Sequence, residues 1–233
     1  MANAAATAQA PVKVKAKKKS EFARVMRQMS KNKLAMLGLA IFIVEVVLVV
    51  LAPYIIPYDY TKMDMTACFA TPSMKHLFGC DDLGRDIFSR VLYGGRFSVT
   101  MGLFATLLAA FLGMAIGAVA GYFGGWVDNL IMRVLDVVQA IPSMLLMIVI
   151  AAVLGPGYVN TIIAMAFGSI PGYARMLRAQ MLKERTNEYI EAATSINCST
   201  FRIIFSHLLP NCLSPIIVQA TMGVGQTITL CAG

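Results

Sequence analysis

The feature that most constrains this chain is a succession of long stretches almost free of charge. They lie at residues 34–56, 97–123, 131–154, 158–176 and from 208 to residue 233. The first has 23 residues; at about 1.5 Å rise they cover about 34 Å, enough for a hydrocarbon core of about 30 Å. Only 14% of the 233 residues are charged, against about 25% in a soluble domain. So small a core cannot hide five such runs. In lipid every backbone polar group must be satisfied within the segment, so runs of this length become helices. The expected fold class is all-α: a polytopic transmembrane helix bundle.

Charge placement orients it. Nine of the twenty Lys/Arg fall between Lys13 and Lys33, ahead of the first apolar run. Residues 1–33 therefore read as a basic cytoplasmic tail, with residues 21–33 forming either a short interfacial helix or a solvated cationic tail. The net charge of +8 does not argue for nucleic acid, because the aromatics sit in the apolar runs and not among the basic residues. No small-residue cleavage site is obvious after the first apolar run, so the N-terminal region is a poor match to a secretory leader.

Residues 57–96 form a polar connection carrying five acids and five bases. That balance, set against the basic flank before residue 34, places it outside. Cys68 and Cys80 lie in it, in a compartment that permits disulfides, so their pairing is an expectation. The five cysteines show no Cys-x-x-Cys and no Cys/His ligand spacing, so no metal site is expected.

Within the spans, Glu45 sits at the middle of 34–56. A carboxyl there belongs either to the translocation pathway or to a helix contact. Arg133 and Asp136 stand three residues apart near the inner end of 131–154 and are expected to neutralise one another in part. Pro142 removes a backbone donor and should kink that helix. Gly113, Gly117 and Gly121 repeat every fourth residue, placing three glycines on one stripe where a neighbouring backbone can approach.

Between two apolar runs lies a polar island, the loop at about 177–211. Arg175, Arg178, Lys183, Arg185 and Arg202 mark it as cytoplasmic. Thr186 or Asn187 followed by Glu188 and Glu191 reads as a helix start. Asn197 suits the left-handed residue that ends a helix. Phe201, Ile204, Phe205 and Leu208 are spaced as one face of a second helix, and Pro210 sets where the next spanning helix begins. Small side chains at the bend (Ala192, Ala193, Ser195) suit insertion into a partner's cleft. An amphipathic loop resting on lipid headgroups is equally compatible with the pattern.

At these residues the chain resembles a known family. Glu191-Ala192-Ala193, with Asn197 at a position usually Gly, and then His207-x-Leu209-Pro210-Asn211, is similar to the EAA loop of ABC importer permeases. The run from His76 through Gly79-Cys80-Asp81-Asp82-Leu83-Gly84-Arg85-Asp86 to Gly94 resembles the second (C-type) permease subunit of dipeptide, oligopeptide and nickel importers, as do Gly121-x-x-Gly124-Gly125 and Ile141-Pro142-Ser143. The resemblance covers residues 22–233. It implies an ABC importer transmembrane core over 97–233, with five spanning helices present of an expected six, so that the chain is expected to be C-terminally truncated.

The resemblance further implies half of a heterodimeric pore in a bacterial or archaeal inner membrane. Its partners would be a second permease subunit, two cytoplasmic ATPase subunits and an external solute-binding protein. The chain has no Gly-x-x-x-x-Gly-Lys-Ser/Thr loop, so ATP and Mg would be used by the partner, and this chain would be a non-catalytic subunit binding no cofactor. Glu188, Glu191, Ala192, Ala193, Asn197, His207, Leu209 and Pro210 are the expected ATPase-coupling residues. A bulky group at Ala193 is expected to uncouple transport. A reading of another class is a motor-independent channel or secondary transporter using Glu45 and Asp136.

Overall fold

A computed structural model describes residues 29–232, so the N-terminal tail, apart from residues 29–33, lies outside the described residues. The chain divides into two compact units, residues 1–51 and 52–233. Most of α1, Lys33–Ile55, falls in the described part of the first. Asn32 starts it: the Asn32 side-chain oxygen accepts from the amides of Leu34 and Ala35 at 3.1 and 3.3 Å, satisfying two of the donors a helix start leaves open. Leu37, Ile41, Phe42, Val44 and Leu48 are all exposed, as expected of a helix that meets lipid.

The second unit contains α2 (Ile87–Phe123), α3 (Gly125–Ala140), α4 (Ser143–Leu154), α5 (Tyr158–Glu184) and α6 (Glu188–Ser195). Thr200–Arg202 (α7), a π-helical stretch Ile203–Leu208 and Leu209–Ala232 (α8) then run on continuously. No strand of a sheet occurs among the described residues, in agreement with the all-α expectation. By length and composition α1, α2 and Thr200–Cys231 can cross a membrane, and the bent pair α3–α4 makes a fourth if counted as one span. The expected fourth span instead continues as α5 through Arg178 and Lys183 to Glu184, eight residues into the expected loop.

Packing centres on α2 against α5. A Cβ built on Gly113 would lie 2.5 Å from the Tyr173 Cβ and 2.9 Å from the Ile170 carbonyl oxygen, and one on Gly121 2.8 Å from the Met181 Cβ. Gly117 would meet the Ala174 carbonyl in the same way. Hydrogen at these positions is what lets the two backbones touch, so the glycine stripe is a packing surface. The core beside it is built from Ala109 and Ala118 of α2, Leu177 and Met181 of α5, and Cys212 and Ile216 of α8.

Three expectations about element limits are corrected. α2 begins at Ile87, not residue 97, because Asp86 caps it by accepting from the Ser89 amide and hydroxyl, both at 2.8 Å. Residues 131–154 are not one kinked helix: α3 and α4 are bent by 88°. Ile141, preceding Pro142, is extended at φ −87°, ψ 126°, the conformation the proline ring imposes on its predecessor. And Pro210 does not set the start of the last span, which runs through it from Thr200 to Cys231. The π-turn absorbs it: the Leu209 amide reaches back five residues to the Ile204 carbonyl, so the ladder is already out of α register where the proline lacks its donor.

Candidate functional site

The island of residues 184–211 is built on α6. Eight residues are too few for a stable isolated helix, and α6 is held by its neighbours. Ile190 and Ala193 are buried in the same core as Ile203, Ile204 and Leu208; burying an isoleucine contributes about 1.5–3 kcal/mol. Asn187 stands at the N-cap in extended conformation without a side-chain cap bond; its side chain donates to Glu184 at 2.7 Å instead. Glu188 and Glu191 lie in the first turn, where their charge complements the helix dipole.

The helix ends as Asn197 promised. Asn197 has φ +59°, its amide donates to the Thr194 carbonyl at 2.9 Å, and the Cys198 amide donates to the Ala193 carbonyl at 3.1 Å. This paired closure is the Schellman motif, and Cys198 supplies its apolar contact by packing on the core. An asparagine can hold the left-handed turn that glycine usually takes.

Geometry sorts the expected coupling residues into two sets. Ala193 is 7% exposed and faces the chain's own core, so it is an anchor and not a surface offered to a partner. Glu188, Glu191, Ala192, Asn197 and Pro210 are exposed, while His207 and Leu209 are half-buried. Among the described residues Glu188 and Glu191 make no ion pair. The second expected helix face is corrected: Ile203, Ile204 and Leu208 are buried, but Phe201 and Phe205 are 70% and 52% exposed, their ring centroids 4.3 Å apart and the rings tilted by 30°. With Ile196, 76% exposed, they form an outward apolar patch beside α6.

The charged candidates pair across helices. Arg133 and Asp136 do not neutralise each other; Arg175 donates to Asp136 at 2.6 Å, and Arg133 has no acidic partner among the described residues. Sequence reading missed the neighbouring pair. Arg178 grips Asp128 with two bonds, Nε to Oδ1 and Nη2 to Oδ2, each 2.5 Å. The Asp128 side chain is 9% exposed, so this fork ties α3 to α5 where water screens least. Pro142 is exposed at the α3–α4 break. Glu45 is exposed on α1, with no ion-pair partner among the described residues.

Residues 57–86 are tightly knit. Asp81 accepts from the Leu83 and Arg85 amides at 3.0 and 2.9 Å and from Arg85 Nε at 2.8 Å, and it also pairs with Arg90. Desolvation opposes its ionisation, but the Arg85 amide and guanidinium and the Leu83 amide outweigh it, and its carboxyl falls to about 2. Asp86 is likewise lowered: desolvation raises it, and the Ser89 amide and hydroxyl and His76 more than offset that. His76 Nδ1 lies 3.0 Å from Asp86 and its ring stacks on Tyr58 at 4.9 Å. Gly84, at φ +72°, lies so close to the Asp64 backbone that no side chain fits. The expected Cys68–Cys80 disulfide is absent; both thiols are free. Cys80 is buried, with the burial pushing its thiol up. No metal-holding cluster of His, Cys, Asp and Glu occurs among the described residues.

Membrane-length helices, a glycine-sealed bundle and a short helix lodged between two long ones define a polytopic α-helical membrane protein. Residues 113–233 match the model of the binding-protein-dependent transport system inner membrane component, and residues 20–72 match the N-terminal TM domain of oligopeptide transport permease C. The chain is 42% identical over 209 residues to the dipeptide transport system permease protein of Alkalihalophilus pseudofirmus, covering 90% of this chain and 69% of that protein. It is 36% identical over 225 residues to the oligopeptide transport system permease protein of Bacillus subtilis, covering 97% and 74%. The glutathione transport system permease protein of Escherichia coli is 41% identical over 203 residues, covering 87% and 67%. The chain belongs to the family of binding-protein-dependent transport system inner membrane components.

Proposed function

We propose that the chain is a permease subunit of an ATP-driven peptide importer. It forms half of the translocation pathway, with its N-terminus and the 184–211 island in the cytoplasm and residues 57–86 outside. A second permease subunit completes the pore, two cytoplasmic ATPase subunits hydrolyse Mg-ATP, and an external solute-binding protein delivers the cargo. The chain itself performs no bond chemistry. Closure of the ATPases moves α6, and the bundle transmits that motion as alternating access, a linkage between two sites. Peptides as cargo rest on the dipeptide, oligopeptide and glutathione permeases it is similar to; glutathione is itself a tripeptide.

The observation that carries the coupling role is the two-sidedness of α6. Ile190 and Ala193 root it in the bundle, while Glu188, Glu191 and Ala192 face outward beside the Ile196, Phe201 and Phe205 patch. Because Ile190 and Ala193 are spent on the protein core, the face that α6 leaves for a partner is the polar one of Glu188, Glu191 and Ala192. The motor-independent alternative finds less support, since Asp136 is engaged by Arg175 and Glu45 would stand as a lone carboxyl where a proton relay needs several.

The test moves from Ala193 to Ala192. Ala192→Trp in the assembled importer should abolish uptake of a labelled dipeptide while the chain's membrane level and melting temperature stay at wild-type values. Normal uptake in that variant would refute docking through this face.

A further inference from the structure

Three side chains that the functional reading does not use form a directed chain of hydrogen bonds across the island. Asn211 Nδ2 donates to the Tyr189 hydroxyl at 3.0 Å, and Tyr189 Oη donates to Glu184 Oε2 at 2.8 Å. The same Asn211 amide donates its other proton to the His207 carbonyl at 2.9 Å, and Asn187 adds a second donor to Glu184 Oε2 at 2.7 Å. The direction is fixed by chemistry. A carbonyl and a carboxylate only accept, so Asn211 must present its nitrogen to His207, and Tyr189 must spend its proton on Glu184 and accept from Asn211. Donors aligned in one direction polarise one another and strengthen each bond.

What matters is which elements the three residues belong to. Glu184 is the last residue of α5, Tyr189 the second of α6, and Asn211 the third of α8. The Asn211 bond to His207 falls at the end of the π-turn. The buried contacts of Ile190 and Ala193 hold α6 against the bundle but are non-directional and tolerate sliding or rotation. A hydroxyl bonded on both sides does not. Tyr189 is the one α6 side chain bonded to both α5 and α8 among the described residues.

We infer that Glu184, Tyr189 and Asn211 form a latch that makes α5, α6 and α8 move as one body, so that Tyr189 is a positioning residue for coupling and not part of the surface that docks. This rests on the coupling role proposed above for α6. The prediction is directional. Without the latch, α6 still docks and still follows the motor, but its displacement is lost as slip against α5 and α8.

The assembled importer carrying Tyr189→Phe, Asn211→Leu or both is compared with wild type in nanodiscs. ATPase co-purification and ATP hydrolysis are expected within about twofold of wild type, while labelled dipeptide taken up per ATP hydrolysed falls about fivefold, the factor one lost hydrogen bond corresponds to. The double variant should be no worse than either single one, since each breaks the same chain. Amide exchange at residues 188–195 should quicken by a similar factor. A Tyr189→Phe variant with wild-type uptake per ATP and wild-type exchange overturns the latch. If no ATPase co-purifies with the wild-type chain, the coupling role itself fails, and unchanged exchange at 188–195 then overturns the latch separately.

Discussion

Replacing Gly113 by alanine adds one methyl at the closest approach of α2 and α5. The new Cβ would sit 2.5 Å from the Tyr173 Cβ and 2.9 Å from the Ile170 carbonyl oxygen. Carbon atoms rest about 3.5–4.0 Å apart, so the helices must separate by about 1 Å or the methyl must be squeezed. Neither obstacle is a flexible side-chain end: one is a Cβ and the other backbone. Overpacking of this kind costs about 1–3 kcal/mol, and the separation also weakens the contacts at Gly117 and Gly121 on the same stripe. Alanine's better helix propensity returns about 0.5–1 kcal/mol, leaving a net loss centred on about 1 kcal/mol. At about 2–4 °C per kcal/mol, the melting temperature in nanodiscs should fall by a few degrees. Gly94→Ala is the internal control: it lies in the same helix with nothing within 4 Å of the added Cβ and should be neutral or slightly stabilising. Gly113→Ala melting at or above the Gly94→Ala temperature would refute the close-packing argument.

Other consequences are equally direct. Asn197→Gly should leave α6 intact, whereas Asn197→Val forces a branched side chain into the left-handed region and costs about 1–2 kcal/mol, visible as faster amide exchange over residues 188–195. Asp128→Ala leaves the Arg178 fork uncompensated and should cost about 3 kcal/mol, while Asp136→Ala, which loses a half-exposed pair, should cost under about 1 kcal/mol; denaturant titration of the two variants ranks them. In residues 57–86, Asp81 has a folded pKa below its unfolded one, so its contribution is present above about pH 4 and disappears as pH falls toward 2. Amide exchange at residues 79–90 should therefore quicken over that window in wild type, and the step should vanish in Asp81→Asn.

Features decided by local chemistry were legible in the residues. The four-residue spacing of Gly113, Gly117 and Gly121 marked the stripe of α2 that a neighbouring backbone meets, though not which helix supplies it, and Asn197 marked the end of α6. Features decided between elements were not. Asp136 had an arginine three residues away, yet it bonds Arg175, thirty-nine positions on; local spacing carries no information about a partner on another helix. The start of α2 was hidden because Arg90 and Arg96 read as loop charges, whereas the signal lay in Asp86 and its Ser89 cap. Phe201 and Phe205 fitted a buried face on an α-helical period, but one π-turn between Ile203 and Leu208 changes the period there and leaves both outside. The same turn explains why the last span runs through Pro210 and does not start there. The latch was not legible: Asn211 stood only as the end of the His207-x-Leu209-Pro210-Asn211 motif, and nothing in the sequence joins it to Tyr189, twenty-two positions back.

The central claim is that the outward face of α6 meets a nucleotide-driven motor. A photo-crosslinking residue placed at Ala192, in the importer purified from native membranes, tests it most directly. The account predicts a crosslink to an ATPase subunit, with a yield that changes between nucleotide-free and ATP-bound states, and none from the same probe at the buried Ile190. Crosslinks to lipid alone, or an ATPase crosslink that ignores nucleotide, would contradict it.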